Sequence, residues 1–146
     1  MNLITRRGFT LAGSVAFFGQ QASAAPEVPH TIRDGETFNA VLSQATRPIA
    51  VDLWAVWCTP CRRFGPVFDS VATSDQYPGL TFTRLDVGET SRPLWQTLTQ
   101  QYQFKFIPAV LLFGPGGKWL GTASGGVSTW TKSNLTNWLN RTLPSS

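Results

Sequence analysis

Cys58 and Cys61 are the only cysteines in the chain, and they stand together in the run Trp57-Cys58-Thr59-Pro60-Cys61. The segment before them, Ile49-Ala50-Val51-Asp52-Leu53-Trp54-Ala55-Val56, is mostly apolar and β-branched, whereas Arg62 to Val71 carries apolar residues at helical spacing. The pair therefore marks a strand-to-helix turn, where two sulfurs at this separation can reach each other and pass between dithiol and disulfide. A cysteine at a helix start has its thiolate stabilised by unpaired backbone N–H groups and by the positive end of the peptide dipoles. Cys58 is accordingly the expected nucleophile, and Cys61, one turn into the helix, the resolving thiol. Pro60 is tolerated because its missing N–H would have been unpaired there anyway, and it fixes the backbone between the sulfurs. Arg62 and Arg63 are expected to point into solvent, where screening limits their influence on the thiol.

Around this turn the chain alternates between extended and helical patterns. His30 to Arg33 reads as a short edge strand after a linker at 25–29, and Asp34 as the cap of a helix carrying Phe38, Val41 and Leu42. Arg47-Pro48 ends that helix. Ile49 to Trp54 reads as a central strand and Cys58 to Thr73 as a long helix interrupted near Gly65-Pro66, with a turn at Tyr77-Pro78-Gly79. Leu80 to Val87 is the next strand, and Ser91 caps a helix with Pro93 in its first turn and Leu94, Leu98 and Tyr102 inward. Val110 to Phe113 and Lys118 to Ala123 form a hairpin around Gly114-Pro115-Gly116-Gly117, and Ser133 to Leu143 closes as an amphipathic helix. The order predicts an α/β fold, a mixed central sheet with helices on both faces.

Val51-Asp52-Leu53-Trp54-Ala55-Val56-Trp57-Cys58-Thr59-Pro60-Cys61 resembles the buried acid, paired tryptophans and redox motif of the thioredoxin family, in unbroken order. Phe106-Ile107-Pro108-Ala109-Val110-Leu111-Leu112-Phe113 resembles the strand that opens with that family's cis-proline, and Gly125-Gly126 the glycine turn before its last helix. The resemblance runs over residues 30–143 and rests on several motifs together. It implies the thioredoxin fold, a role for Asp52 in moving the proton of the resolving thiol, and a cis bond at Ile107-Pro108 that holds the loop against the sulfurs. It implies that the backbone of Ile107 pairs with an extended client segment, and that Trp57, Thr59, Pro60, Pro108 and Gly126 complete the client surface. An unpaired carboxylate inside an apolar strand is independently expected to have a raised pKa, as suits Asp52. Trp54 is expected to pack beside the motif, and Trp95, Trp119, Trp130 and Trp138 to be core or edge packing, Trp130 lying in a small insertion after the glycine turn. Arg84 stands where relatives carry a lysine near the buried acid; it keeps the charge but cannot release a proton.

The chain's start, Thr5-Arg6-Arg7-Gly8-Phe9-Thr10-Leu11, followed by a moderately apolar stretch to Phe18 and by Ala22-Ser23-Ala24, resembles a twin-arginine export signal. Residues 1–24 are thus expected to be a signal peptide and 25–146 one thioredoxin-like domain, exported to the periplasm, where disulfides persist. A general secretory signal containing Arg-Arg is the alternative. The apolar stretch is short for a bilayer span, so no lasting membrane anchor is expected. Leaving out Arg6 and Arg7 lowers the net charge from +4 to +2, too weak and scattered to suggest nucleic acid. A closed zinc site needs four ligands, and the two cysteines with the single histidine, His30, fall short, so no metal is expected. The Gly114–Gly117 run joins two strands and reads as a turn rather than a phosphate cradle.

The expected chemistry follows. Cys58 thiolate attacks a disulfide in another protein, and Cys61, deprotonated with help from Asp52, attacks Cys58 and releases the reduced client. The reaction needs no cofactor beyond the Cys58–Cys61 disulfide. In compact size and residue order the chain resembles reducing members of the family rather than oxidants with an inserted helical domain, which implies a protein-disulfide reductase; it is expected to be a monomer supplied with electrons by a membrane redox partner. Two alternatives stay open: a disulfide-forming oxidant or isomerase, and a non-catalytic binding or chaperone module on the same surface.

Overall fold

A computed structural model describes residues 29–88, 92–125 and 130–145. Five strands and four helices follow one another as β1 (His30–Ile32), α1 (Gly35–Ser43), β2 (Ile49–Trp54), α2 (Thr59–Ala72), β3 (Thr81–Asp86), α3 (Arg92–Gln101), β4 (Ala109–Phe113), β5 (Trp119–Ser124) and α4 (Lys132–Thr142). The strands form one sheet in the order β1-β3-β2-β4-β5. β1 and β2 flank β3 in parallel, β4 runs antiparallel to β2, and β5 antiparallel to β4.

Alternation along the central strands sorts the core into two layers. Ile49, Val51 and Leu53 of β2 share a face with Leu111 and Phe113 of β4 and pack under Phe38 and Leu42 of α1 and Leu98 of α3. Ala50 of β2 and Val110 and Leu112 of β4 face the other way, against Phe64, Phe68 and Val71 of α2 and Leu135 and Leu139 of α4. Both central strands are covered on both sides, which is why they read as near-continuous apolar runs. By the same parity Asp52 points to the α2 side, the one carboxylate in that layer of β2.

Local signals set the helix ends. Thr37 N–H donates to Asp34 Oδ1 at 2.7 Å, and that backbone hydrogen bond holds the Asp34 carboxyl below its usual range. Asn134 N–H donates to Thr131 Oγ1 at 3.1 Å, so α4 is capped two residues ahead of Ser133 and begins at Lys132. The expected interruption at Gly65-Pro66 does not divide α2, which runs unbroken from Thr59 to Ala72 with Pro66 inside it. The proline forfeits one ladder bond, and packing of Phe64 and Phe68 on the sheet holds the helical turns on both sides of it. The β4–β5 turn docks on the end of α1, Gly116 N–H donating to Ala45 O at 2.7 Å. Gly117, at φ 78°, lies so close that a Cβ would stand 3.1 Å from Leu42 Cβ, which only glycine accommodates.

The expected cap Ser91, the glycine-turn residue Gly126 and the leader 1–24 lie outside the described residues. Among the described residues, no helix is long and apolar enough to cross a membrane.

Candidate active site

The end of β2 delivers the chain into a tight turn, closed by Cys58 N–H donating to Ala55 O at 3.0 Å. Cys58 then caps α2 in an extended conformation, its sulfur accepting the backbone N–H of Cys61 at 3.3 Å. A sulfur in the N-cap position replaces the oxygen of a serine or threonine cap, so one orphan donor of the helix start is aimed at the atom expected to carry negative charge. Cys58 and Cys61 form a disulfide across a Cα–Cα distance of 5.3 Å. Both residues are buried, Cys61 more so than Cys58.

The Ile107–Pro108 bond is cis, and it sets Ile107 O 3.8 Å from Cys58 Sγ. In the disulfide that sulfur has no proton, so the approach is a contact; the reduced thiol could donate along the same line. Trp57 is 67 % exposed, Val56 58 % and Phe106 74 %, giving the disulfide an apolar rim on both sides. Between that rim and the end of β5 lies a groove of about 590 Å³ lined by Pro60, Lys105, Phe106, Ile107, Pro108 and Gly125. Thr59 is exposed, and its Oγ1 accepts from Arg62 Nη2 at 3.2 Å while Arg62 Nη1 donates to Val56 O at 3.1 Å. Arg62 is exposed, as its sequence position suggested, and its guanidinium folds back across the motif to the loop carbonyl ahead of Trp57.

Beneath the disulfide, Asp52 is 1 % exposed. It stands opposite Arg84 of β3 and Val110 of β4. Arg84 Nε donates to Asp52 Oδ2 at 3.2 Å, while Arg84 Nη2 donates to Gly65 O at 3.0 Å and lies 3.1 Å from Asp69 Oδ1. The guanidinium also sits over the Phe68 ring, 5.6 Å from its centroid. Burial raises the Asp52 pKa to about 7 against the opposing pull of Arg84. Asp52 Oδ1 has no hydrogen-bond partner, and neither does Trp54 Nε1. Both residues line a cavity of about 160 Å³ together with Cys61, Arg62, Asp69 and Arg84. Resolving thiol and buried acid thus face one small space.

The structure brings Cys58, Cys61, Trp57, Thr59, Pro60, Ile107 and Pro108 to one surface, with Asp52 directly below. Trp130 turns inward, its ring 4.6 Å from that of Phe64 and its indole N–H donating to Gly125 O at 3.3 Å. Three residues of the site escaped the sequence reading. Phe106 carried a signal, an aromatic two residues before the proline. Gly88 would place a Cβ 3.0 Å from both Ala55 Cβ and Trp57 Nε1, a close approach visible only in three dimensions. Asp69 meets Arg84 only because α2 crosses β3. Among the described residues no three His, Cys, Asp or Glu side chains gather as a metal ion requires.

Comparison with known proteins gives concordant matches. The family model described as Thioredoxin matches residues 29–141. The chain is 29 % identical over 133 residues to the chloroplastic M-type thioredoxin of Chlamydomonas reinhardtii, covering 87 % of this chain and 90 % of that one. It is 32 % identical over 108 residues to the thioredoxin of Acidithiobacillus ferridurans, covering 74 % and 91 %. A solved point-mutant thioredoxin from Halobacterium salinarum NRC-1 superposes with a TM-score of 0.63 at 21 % identity, over 84 % of this chain and 97 % of that one, a likeness of fold.

Proposed function

The chain belongs to the thioredoxin family and is a thiol:disulfide oxidoreductase; on that premise we propose that it reduces disulfides in other proteins, with Cys58 as attacking sulfur, Cys61 as resolving sulfur and Asp52 as acceptor of the Cys61 proton. The observation that carries this reading is the N-cap geometry, the Cys61 N–H aimed at Cys58 Sγ beneath an exposed apolar rim. In the reduced protein, Cys58 thiolate attacks one sulfur of the client disulfide; a Cys58–client bond forms as the client's own S–S bond breaks, and the client's second sulfur leaves as thiolate. Cys61 S–H passes its proton to Asp52, and the resulting thiolate attacks Cys58 Sγ. The Cys58–Cys61 bond forms, the mixed disulfide breaks, and the client departs with both sulfurs reduced. The protein ends oxidised by two electrons. A membrane redox partner would restore the dithiol.

The apolar rim suits clients presented as extended segments, with the carbonyl of Ile107 beside Cys58 available to pair with their backbone. Trp57, Thr59, Pro60 and Pro108 shape that contact, and Gly126 is assigned to it on sequence. Periplasmic location and export by the twin-arginine route are proposed from the leader sequence, Arg6-Arg7 and Ala22-Ser23-Ala24. The Cys61→Ser variant, expressed in the native compartment, is expected to accumulate mixed disulfides through Cys58, whereas Cys58→Ser is expected to lose insulin reduction altogether. Serine keeps a good cap at this position, so loss of activity there reports chemistry rather than unfolding. Undiminished turnover by Cys58→Ser, or no captured protein with Cys61→Ser, overturns the assignment. Captured clients found as dithiols, together with a glutathione equilibrium favouring the protein's dithiol, would reverse the direction to oxidant.

A further inference from the structure

A guanidinium facing a carboxylate ordinarily takes both oxygens at once through two parallel N–H groups. Arg84 does not do so with Asp52. Its Nε reaches Oδ2 at 3.2 Å, but Nη2 donates to Gly65 O at 3.0 Å and lies 3.1 Å from Asp69 Oδ1, an ion pair by charge and distance in which Oδ1 accepts no hydrogen bond. Asp52 Oδ1 is left buried without a partner, on the cavity that Cys61 also lines. We propose that Asp69 is a positioning residue, which by drawing Arg84 Nη2 toward the rim of α2 keeps Asp52 Oδ1 open to the resolving thiol.

The inference rests on the reading of Asp52 as proton acceptor and adds the device that keeps it available. A clamp on both oxygens would occupy the atom that must receive the proton and would favour the charged carboxylate, making it a weaker base. The charged and titratable groups around Asp52 are Arg84 from β3, and Cys61, Arg62 and Asp69 from α2; across β4 it meets apolar Val110. Asp69 is the one opposing carboxylate among them, and at 35 % side-chain exposure it can be changed without opening the core.

The test follows the Asp52 carboxyl by carbon-13 NMR across pH, alongside release of the second thionitrobenzoate from Ellman's reagent, the step in which Cys61 attacks Cys58. Asp69→Asn is expected to lower the Asp52 midpoint by about one pH unit and to slow the second release on the order of threefold at its alkaline plateau. Asp69→Glu is expected to restore both. In an Arg84→Lys background, where there is no fork to redirect, Asp69→Asn is expected to move the midpoint distinctly less. An unchanged midpoint, or an equal displacement with Arg84 and with lysine in its place, overturns the proposal, the second result leaving only charge repulsion. If Asp52→Asn leaves the pH profile of the second release untouched, the proton-acceptor reading fails, whereas the carboxyl titration still judges the positioning.

Discussion

A carboxyl group sealed beneath α2 sets two requirements against each other at Asp52. Proton transfer near neutral pH is served by a pKa raised to about 7. Stability is not. The unfolded carboxyl titrates near 3.8, so between that pH and about 7 the folded protein holds a proton that the unfolded chain has released. The stabilising contribution is therefore fully present below the unfolded value and is lost as pH rises through the folded one. Urea unfolding of the oxidised protein should show stability falling from pH 4 to 8, and Asp52→Asn should flatten that fall. At pH 8 the variant should be the more stable by a few kcal/mol, since about three pH units at about 1.4 kcal/mol each are relieved. Equal slopes for the two proteins would mean that Asp52 is not desolvated. At this scale Asp52, Cys58 and Cys61 were legible because each breaks a local pattern: an acid in an apolar strand, two thiols at a strand-to-helix turn. Asp69 and Gly88 were not, because their significance lies in contacts with Arg84 and Trp57 on other elements.

Strands and helices were read from period and punctuation, and the outcome shows which signals are strong. β2 has the bounds its apolar run gave, Ile49–Trp54, because Pro48 and the turn at Ala55 punctuate it sharply. β3 is shorter at both ends than its apolar pattern, Thr81–Asp86, since Leu80 and Val87 are apolar for packing beyond the ladder. Pro66 was weighed as a break, but tertiary packing of α2 outweighs one lost hydrogen bond. The start of α4 shows a cap ahead of the apolar periodicity. Removing that cap with Thr131→Ala takes the side-chain acceptor from the Asn134 N–H and should lower stability by about 1 kcal/mol in urea unfolding. Insulin reduction should be unchanged, because Leu135 and Leu139 still hold α4 against α2 and the sheet when the cap is lost. A loss of activity without loss of stability would contradict the packing described for α4.

Taken whole, the molecule uses a doubly covered sheet to fix a helix start. Phe64 and Phe68 hold α2 against the β2 and β4 face, the cis bond before Pro108 brings the adjacent loop to the sulfurs, and Arg84 ties β3 to α2 over the buried acid. The mixed sheet and its two helical layers followed from element order alone, since three parallel neighbours and a terminal hairpin leave few arrangements. The division of Arg84 between two carboxylates did not, because it depends on how far α2 sits from β3. The central claim is that this frame makes one sulfur the nucleophile and shelters the other. Iodoacetamide modification of the fully reduced protein, with the rate and the modified cysteine followed across pH, tests it most directly. The account predicts fast alkylation of Cys58 alone, already substantial at pH values where free cysteine is slow, with Cys61 protected until the protein unfolds. Simultaneous modification of Cys58 and Cys61, following the pH profile of free cysteine, would contradict it.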